Sequence, residues 1–375
     1  FIVGALLTWV AFRRNRSLPR PLHFTAVIVT VLVLFVLTAI FDNLMIGAGL
    51  FHYAPEHLLG VSVGLAPLED FSYPLAGALL LPALWIALQR GGRQRRQDFS
   101  QLVLSSRPIS WINTAFPFGA AYLLVSREID WVFLVGVLYF LIPYNFAMYG
   151  INDVFDYESD LRNPRKGGTH GAVLDRRMHR ITLWAAGIAC APFVIWLVAS
   201  GTWASWTVLA VSLFFVVFYS APPLRLKEVP FADSVTSAIH FVSPAIYGLV
   251  LAGATWNLPL VAICISFGLW GIASHAFGAV QDVVADREAD ISSIATARGA
   301  AWTARFALTS YALAGIALLV TPWPTPLAGL LVIPYLIAVW PYRSVSDADS
   351  HTATRGWRAF LWLNQLAGFG VTVLL

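Results

Sequence analysis

The stretch Asn152-Asp153-Val154-Phe155-Asp156-Tyr157-Glu158-Ser159-Asp160 directly follows an apolar run. If a helix continues through it, Asp153, Asp156 and Asp160 fall at i, i+3 and i+7, on one face. A second set, Asp282, Asp286 and Asp290, follows a later apolar run at i, i+4 and i+8. Stacked carboxylates repel one another, and near a bilayer they are poorly solvated, so something positive must lie between them. Two facing sets of hard oxygen ligands suit Mg²⁺, which keeps waters and completes its shell from substrate phosphates. Metal on a diphosphate would stabilise the leaving oxygen as a carbon–oxygen bond breaks, without supplying a proton. That suits release of an allylic cation.

Cations accompany the acids. Arg162, Arg165 and Lys166 follow the first cluster, and Tyr219-Ser220-Ala221-Pro222-Pro223-Leu224-Arg225-Leu226-Lys227 forms a loop between two apolar runs. Its paired prolines stiffen the turn. Arg225 and Lys227 can reach phosphate oxygens, Arg bidentately and Lys as a point charge.

The elements that must position these groups are membrane spans. Of 375 residues, 58% are hydrophobic and only 12% charged, about half the charge of a soluble domain. Apolar runs long enough to cross a bilayer lie at about 1–12, 23–48, 66–89, 108–126, 131–150, 181–200, 203–220, 232–253, 258–281, 300–321, 324–341 and 358–375. The chain opens with Phe, inside the first run, which is not read as a signal peptide. With twelve spans, 23 of the 24 Lys and Arg residues fall on one side and Arg127 alone opposite. The basic side is expected to be cytoplasmic, with both aspartate clusters on it and both termini outside. The net charge of +4 is thereby topological, and a nucleic-acid partner is not implied. Cys190 and Cys264 lie in apolar runs with no CxxC or Cys/His cluster, so neither a disulfide nor a zinc site is expected.

On these motifs the chain resembles the UbiA superfamily of intramembrane prenyltransferases. Asn152, Asp153, Asp156 and Asp160 match its first aspartate-rich motif, Asp282, Asp286 and Asp290 its second, and Tyr219 to Lys227 a third signature. Arg107-Pro108 followed by Trp111 is similar to the family's opening. The likeness covers about residues 105–375 and implies a nine-helix bundle around a lipid-open cavity, Mg²⁺ and a prenyl diphosphate donor. The segment Arg162-Asn163-Pro164-Arg165-Lys166-Gly167-Gly168 departs from the quinone-type pattern and looks more like the lycopene elongases. Those enzymes add dimethylallyl groups to lycopene, so dimethylallyl diphosphate and a carotenoid are the implied substrates.

The first three runs resemble a second family, the small membrane-bound carotenoid cyclase subunits. The likeness rests on Asp42, on Gly49-Leu50-Phe51-His52-Tyr53-Ala54-Pro55-Glu56, on Gly60 and on Pro67-Leu68-Glu69-Asp70-Phe71. Asp70 stands where that motif usually has Glu. Such subunits work as two halves, so a second half on another chain is an implied partner. The expected organisation is a three-helix unit over 1–90, a basic linker over 91–107 and a prenyltransferase domain over 108–375. Glu69 would be the acid or base of a cyclisation, supported by Asp70 and Asp42. Phe146, Tyr149, Tyr247, Trp270 and Phe277 are candidates for lining a cation cavity, and His240 and His275 could accept a proton. Three other readings remain open: a quinone-type or other aromatic acceptor, a cation-coupled transporter, and a first unit that only docks. The acids cluster at span ends rather than mid-membrane, which counts against transport.

Overall fold

The computed structural model describes residues 20–53, 58–88, 93–157 and 174–374. The first expected span and Asp160, Arg162, Arg165 and Lys166 lie outside the described residues. The chain divides into two compact units, Phe1–Phe99 and Ser100–Leu375.

In the first unit, α1 (Arg20–Gly47) and α2 (Ser72–Leu88) are joined by a small antiparallel hairpin. Its strands, β1 (Ser62–Val63) and β2 (Ala66–Pro67), pair Ser62 with Pro67 and Val63 with Ala66. Asn43 clamps the hairpin to α1. Its amide donates to Val63 O at 2.8 Å and accepts from Leu65 N at 2.6 Å. Gly64, with φ +68°, makes the turn, and a Cβ there would stand 2.2 Å from Asn43 Oδ1. Only glycine combines that backbone with that approach.

The second unit is a helical membrane bundle. Between Gln97–Ser110 and Ile112–Ser126 the chain bends by 51°, from α3 (Arg93–Ser105) into α4 (Ile112–Ser126). Pro108 disfavours helix at the residue before it, and Arg107 takes a left-handed conformation, φ 48°. α5 (Trp131–Leu141) and α6 (Pro143–Phe155) together form one span, interrupted at Ile142. Proline cannot donate to the preceding turn, and in lipid every freed carbonyl needs a partner. Here Asn145 Nδ2 donates to Phe140 O at 2.7 Å and Leu141 O at 3.1 Å, and Thr114 Oγ1 donates to Phe140 O at 2.7 Å.

The remaining helices are α7 (Arg176–Ser200), α8 (Trp203–Phe218), α9 (Ala232–Leu251), α10 (Leu258–Val280), α11 (Val283–Glu288) and α12 (Ile294–Arg298). They are followed by α13 (Ala300–Ala317), α14 (Ile333–Val339) and α15 (Thr354–Leu374). Among the described residues seven stretches are long and apolar enough to cross a membrane, or eight counting the bent pair. The runs expected from residue 23 onward coincide with helices, but α2 and α8 are shorter, at 17 and 16 residues, and α15 is not among the seven or eight membrane-crossing stretches.

Small residues let the helices approach. A Cβ on Gly248 of α9 would stand 2.6 Å from Phe118 O of α4, and one on Gly271 of α10 would stand 2.9 Å from Ala238 Cβ of α9. Lipid offers no hydrophobic drive between helices, so such close packing supplies the cohesion. Phe118, Tyr139, Phe140, Tyr144 and Tyr247 form a buried aromatic cluster beneath the break in the α5–α6 span.

Candidate active site

The first acidic motif occupies the end of α6. Asn152 and Asp153 belong to its last turn, and Asp156 is its C-terminal cap, with φ −98° and ψ 3°. α6 ends at Phe155, so Asp153 and Asp156 stand on either side of that end, and Asp160, the third member of the expected face, lies outside the described residues. Asp153 is fully buried. Arg107, from the bend before α4, donates to Asp153 Oδ1 at 3.1 Å and lies 4.3 Å over the Tyr149 ring. Lys227 Nζ pairs with Asp156 Oδ1. Asn152 Nδ2 donates to Asp156 Oδ2 at 2.7 Å and Ser220 Oγ at 2.9 Å. Two poorly solvated carboxylates are thus each held by a cation, and the Asn152 amide bonds one of them, Asp156, and accepts at 3.5 Å from the Arg107 that holds the other, which is how such groups are tolerated at a membrane.

The Tyr219–Lys227 loop is what brings Lys227 there. Lys227 N donates to Tyr219 O at 3.0 Å, closing the loop on itself. Arg225, with φ 40°, points its guanidinium to Glu228. Tyr219 reaches the other way, its hydroxyl 3.3 Å from His275 Nε2.

The second motif corrects the expected i, i+4, i+8 face. α10 ends at Val280, Asp282 precedes the short α11, and Asp286 lies within it. Asp290 is in the left-handed region, φ 56°. Asp290 N donates to Arg287 O at 3.2 Å and Ile291 N to Asp286 O at 2.8 Å. Those two bonds are a Schellman closure, with Asp290 as the left-handed residue that ends the helix. Its exposed carboxylate is therefore not stacked with the other two. Arg287 donates to Asp347 Oδ2 at 2.7 Å, and Asp347 Oδ1 accepts Ala300 N at 2.7 Å. The Ala300 N–H and then Arg287 hold the Asp347 carboxyl below its ordinary range.

As a donor set, the buried carboxylates of Asp153 and Asp156 and the half-buried ones of Asp282 and Asp286 are hard oxygens of the kind Mg²⁺ takes. Among the described residues no three His, Cys, Asp or Glu side chains gather into a ready-made cage. Mg²⁺ needs none where one or two carboxylates, waters and substrate phosphates complete its shell. The residues present fit such an ion.

Of the cavity candidates, Tyr149 lies under Arg107. Tyr247 and Phe277 are packed into the core instead, and Trp270 stacks on Phe360 at 5.9 Å. Phe146 is packed beside Met148 in the same cluster as Tyr247.

In the first unit the two neighbouring acids are used differently. Glu69 Oε1 accepts the N–H of Leu59. Asp70 is buried, accepts from Tyr53 at 2.6 Å and is hydrogen-bonded to Asp42. Burial and Asp70 keep the Tyr53 phenol above its ordinary range, so it stays a donor.

Residues 114–364 match the UbiA prenyltransferase family. The chain belongs to that family. It is 47% identical, over 381 aligned residues, to LbtBC of Dietzia sp. (strain CQ4), a C(50) beta-cyclic carotenoids biosynthesis protein; the match covers 92% of this chain and 88% of that one. It is 50% identical over 274 residues to a lycopene elongase/hydratase of Corynebacterium glutamicum, covering 73% of this chain and 96% of the relative. Among solved structures it resembles a UbiA homolog from Archaeoglobus fulgidus bound to DMAPP and Mg2+, with a TM-score of 0.54 and 18% identity, over 73% of this chain and all of that one. The apo UbiA homolog from Aeropyrum pernix K1 gives a TM-score of 0.54 at 17% identity, over 71% of this chain and 98% of that one.

For this UbiA-family chain, sequence reading overlooked two positioning residues. Asp233, fully buried in the first turn of α9, accepts Ile294 N at 2.8 Å and so ties α9 to the segment after the second motif. Asp347 anchors α11 and the start of α13. Neither sits in a motif; a lone acid beside an apolar run was the only signal. Arg107 was visible as part of the family's opening but not as the partner of Asp153.

Proposed function

We propose that this UbiA-family prenyltransferase transfers a dimethylallyl group from its diphosphate to the ends of lycopene, forming forty-five- and fifty-carbon carotenoids. The observation that carries the reading is the end of α6, where buried Asp153 and Asp156 are each matched by a cation, Arg107 and Lys227. The names borne by LbtBC and the elongase/hydratase relatives support the carotenoid acceptor, and the ligands of the Archaeoglobus fulgidus homolog support the donor and the metal.

Asp153, Asp156, Asp282 and Asp286 would hold Mg²⁺, with Asp160 and Asp290 at the ends of the two motifs. Bound there, the ion supplies charge stabilisation for the departing diphosphate. Arg107 and Lys227 then face phosphate as well as carboxylate, and with Asn152, Tyr219 and Arg225 they orient the diphosphate. Arg162, Arg165 and Lys166 are proposed to add to that cradle. Apolar helices keep water from the allylic cation, which would otherwise be captured. The charge asymmetry of the loops supports a cytoplasmic aspartate face, in a bacterial plasma membrane.

Residues 1–90 are proposed to act in end-group cyclisation with a second cyclase half, joined through the 91–107 linker to the 108–375 domain. The division of the chain at Phe99 and Ser100 falls inside that linker. The juxtaposition of Asp42 and buried Asp70 supports this pair, with Glu69 beside it, as the acid that starts ring closure.

Membranes holding this full chain, given lycopene, dimethylallyl diphosphate and Mg²⁺, should yield elongated carotenoid. Prenylation of an aromatic acceptor with lycopene left untouched would sink the elongase reading.

A further inference from the structure

Two histidines lie within α9 and α10, His240 and His275, while His179 stands in the first turn of α7; the ring nitrogens of the first two differ in one respect. His275 has both engaged, Nδ1 3.1 Å from Ser234 Oγ and Nε2 3.3 Å from Tyr219 Oη. His240, on α9, is 3% exposed, and its Nε2 has no hydrogen-bond partner among the described residues. Its one hydrogen bond is to the backbone of Phe215. The Phe215 N–H is spent inside α8, so the contact is to the carbonyl, and the nitrogen is Nδ1. An Nδ1–H held on a carbonyl fixes the neutral tautomer and leaves the lone pair on Nε2. A buried acceptor without a donor is rare in a native fold and calls for a reason.

Its position offers one. The Tyr219 ring stands edge-on to the His240 imidazole at 5.0 Å. Tyr219 in turn holds Lys227 through its carbonyl, and Lys227 holds Asp156. His240 follows Asp233 by seven residues, about 10 Å of helix rise. His240 is thus linked through Tyr219 and Lys227 to the charged end of α6. The Tyr144 hydroxyl is taken up by Ser212 at 3.1 Å and by the His240 carbonyl at 3.3 Å.

We infer that His240 Nε2 is the base that receives the proton when the elongated carotenoid cation is quenched; this rests on the elongase reading above. The carbon–oxygen bond of dimethylallyl diphosphate breaks and the diphosphate leaves with the electron pair. The allylic carbon bonds to the terminal double bond of lycopene, leaving a tertiary cation. A C–H bond beside that cation gives its electrons to a new double bond and its proton to Nε2. Where water adds instead, oxygen bonds to the cation and the water's proton goes to Nε2. A neutral imidazole can accept either proton, whereas His275, with both nitrogens engaged, is not free to.

The test uses the full chain in membrane vesicles with lycopene, dimethylallyl diphosphate and Mg²⁺, following diphosphate release and elongated product separately. In His240→Gln and His240→Ala, product should fall by on the order of 100-fold while diphosphate release continues. Added imidazole should restore product in His240→Ala and leave His240→Gln unchanged. If His240→Ala fails to fold, the dissociation of release from product in His240→Gln carries the test. Product at the wild-type level in both variants overturns the inference, as does a joint fall of release and product without imidazole rescue. Wild-type chain that makes no elongated carotenoid defeats the elongase reading instead.

Discussion

Arg107 and Asp153 are 46 residues apart in sequence, yet a guanidinium nitrogen of one lies 3.1 Å from a carboxylate oxygen of the other. The bend before α4 exists to make that possible. Pro108 keeps Arg107 out of helix, and the left-handed turn directs its side chain at the end of α6. Arg107→Ala should lower turnover of dimethylallyl diphosphate by on the order of 10²-fold, as loss of one preorganised charge contact does. Arg107→Lys should recover only part, because a point charge replaces a planar guanidinium that also stacks over Tyr149. Steady-state kinetics on purified variants, with thermal unfolding alongside, read both.

Asp153→Asn and Asp156→Asn keep size and remove charge. Each is expected to lose diphosphate release by on the order of 10³-fold or more, since charge stabilisation of the leaving group is the chief demand of this chemistry. Chelating the metal in wild type should give the same silence, reversed by added Mg²⁺. Phosphorus NMR of the reaction would show it, and an Asp153→Asn chain that still turned over would remove the site from the mechanism.

Glu69 and Asp70 are neighbours with separate tasks. Asp70→Asn, in cells that also hold the second cyclase half, should abolish cyclic product while acyclic elongated carotenoid accumulates. Glu69→Gln can still accept the Leu59 N–H and should weaken cyclisation less. Chromatography of the pigments separates the cases, and unchanged rings in Asp70→Asn would leave the first unit as a docking element.

Asp347 predicts a pH dependence. Its carboxyl is held below the ordinary value by the Ala300 N–H and Arg287. A depressed folded-state value means that its stabilisation is present above the unfolded carboxyl range, near 4, and fades as pH falls through the folded value. Asp347→Asn should therefore lower Tm at neutral pH, and the gap from wild type should close in acid. Thermal scans in detergent between neutral pH and about pH 3 check the sign. The group is partly exposed, so the gap should be small.

Helix contact can be tested through glycine. Gly248→Ala places a methyl 2.6 Å from Phe118 O, and such overpacking costs about 1–3 kcal/mol. Gly187→Ala, where a Cβ meets nothing within 4 Å, should be neutral or slightly stabilising, since alanine favours helix. Unfolding in mixed micelles compares the two.

Much of this was legible in the chain itself. Apolar length and loop charge give a helical membrane protein, because hydrocarbon admits only segments that satisfy their own backbone. Asp153, Asp156, Asp282 and Asp286 announce themselves by acid type and spacing beside those segments. What periodicity could not give was where the helices stop. The same spacing put Asp290 on a face with Asp282 and Asp286, but local closure after Glu288 turned it away. Asp233 and Asp347 were invisible because each acts on a backbone N–H distant in sequence, and such bonds leave no local pattern. The sequence alone determined which residues could bear charge in an apolar protein and that they gather between its apolar runs. Tertiary structure decided which cation meets which carboxylate, and which of two histidines keeps a lone pair to itself. Pairing depends on angles at a proline bend and a closed loop, and those are set only when the helices pack.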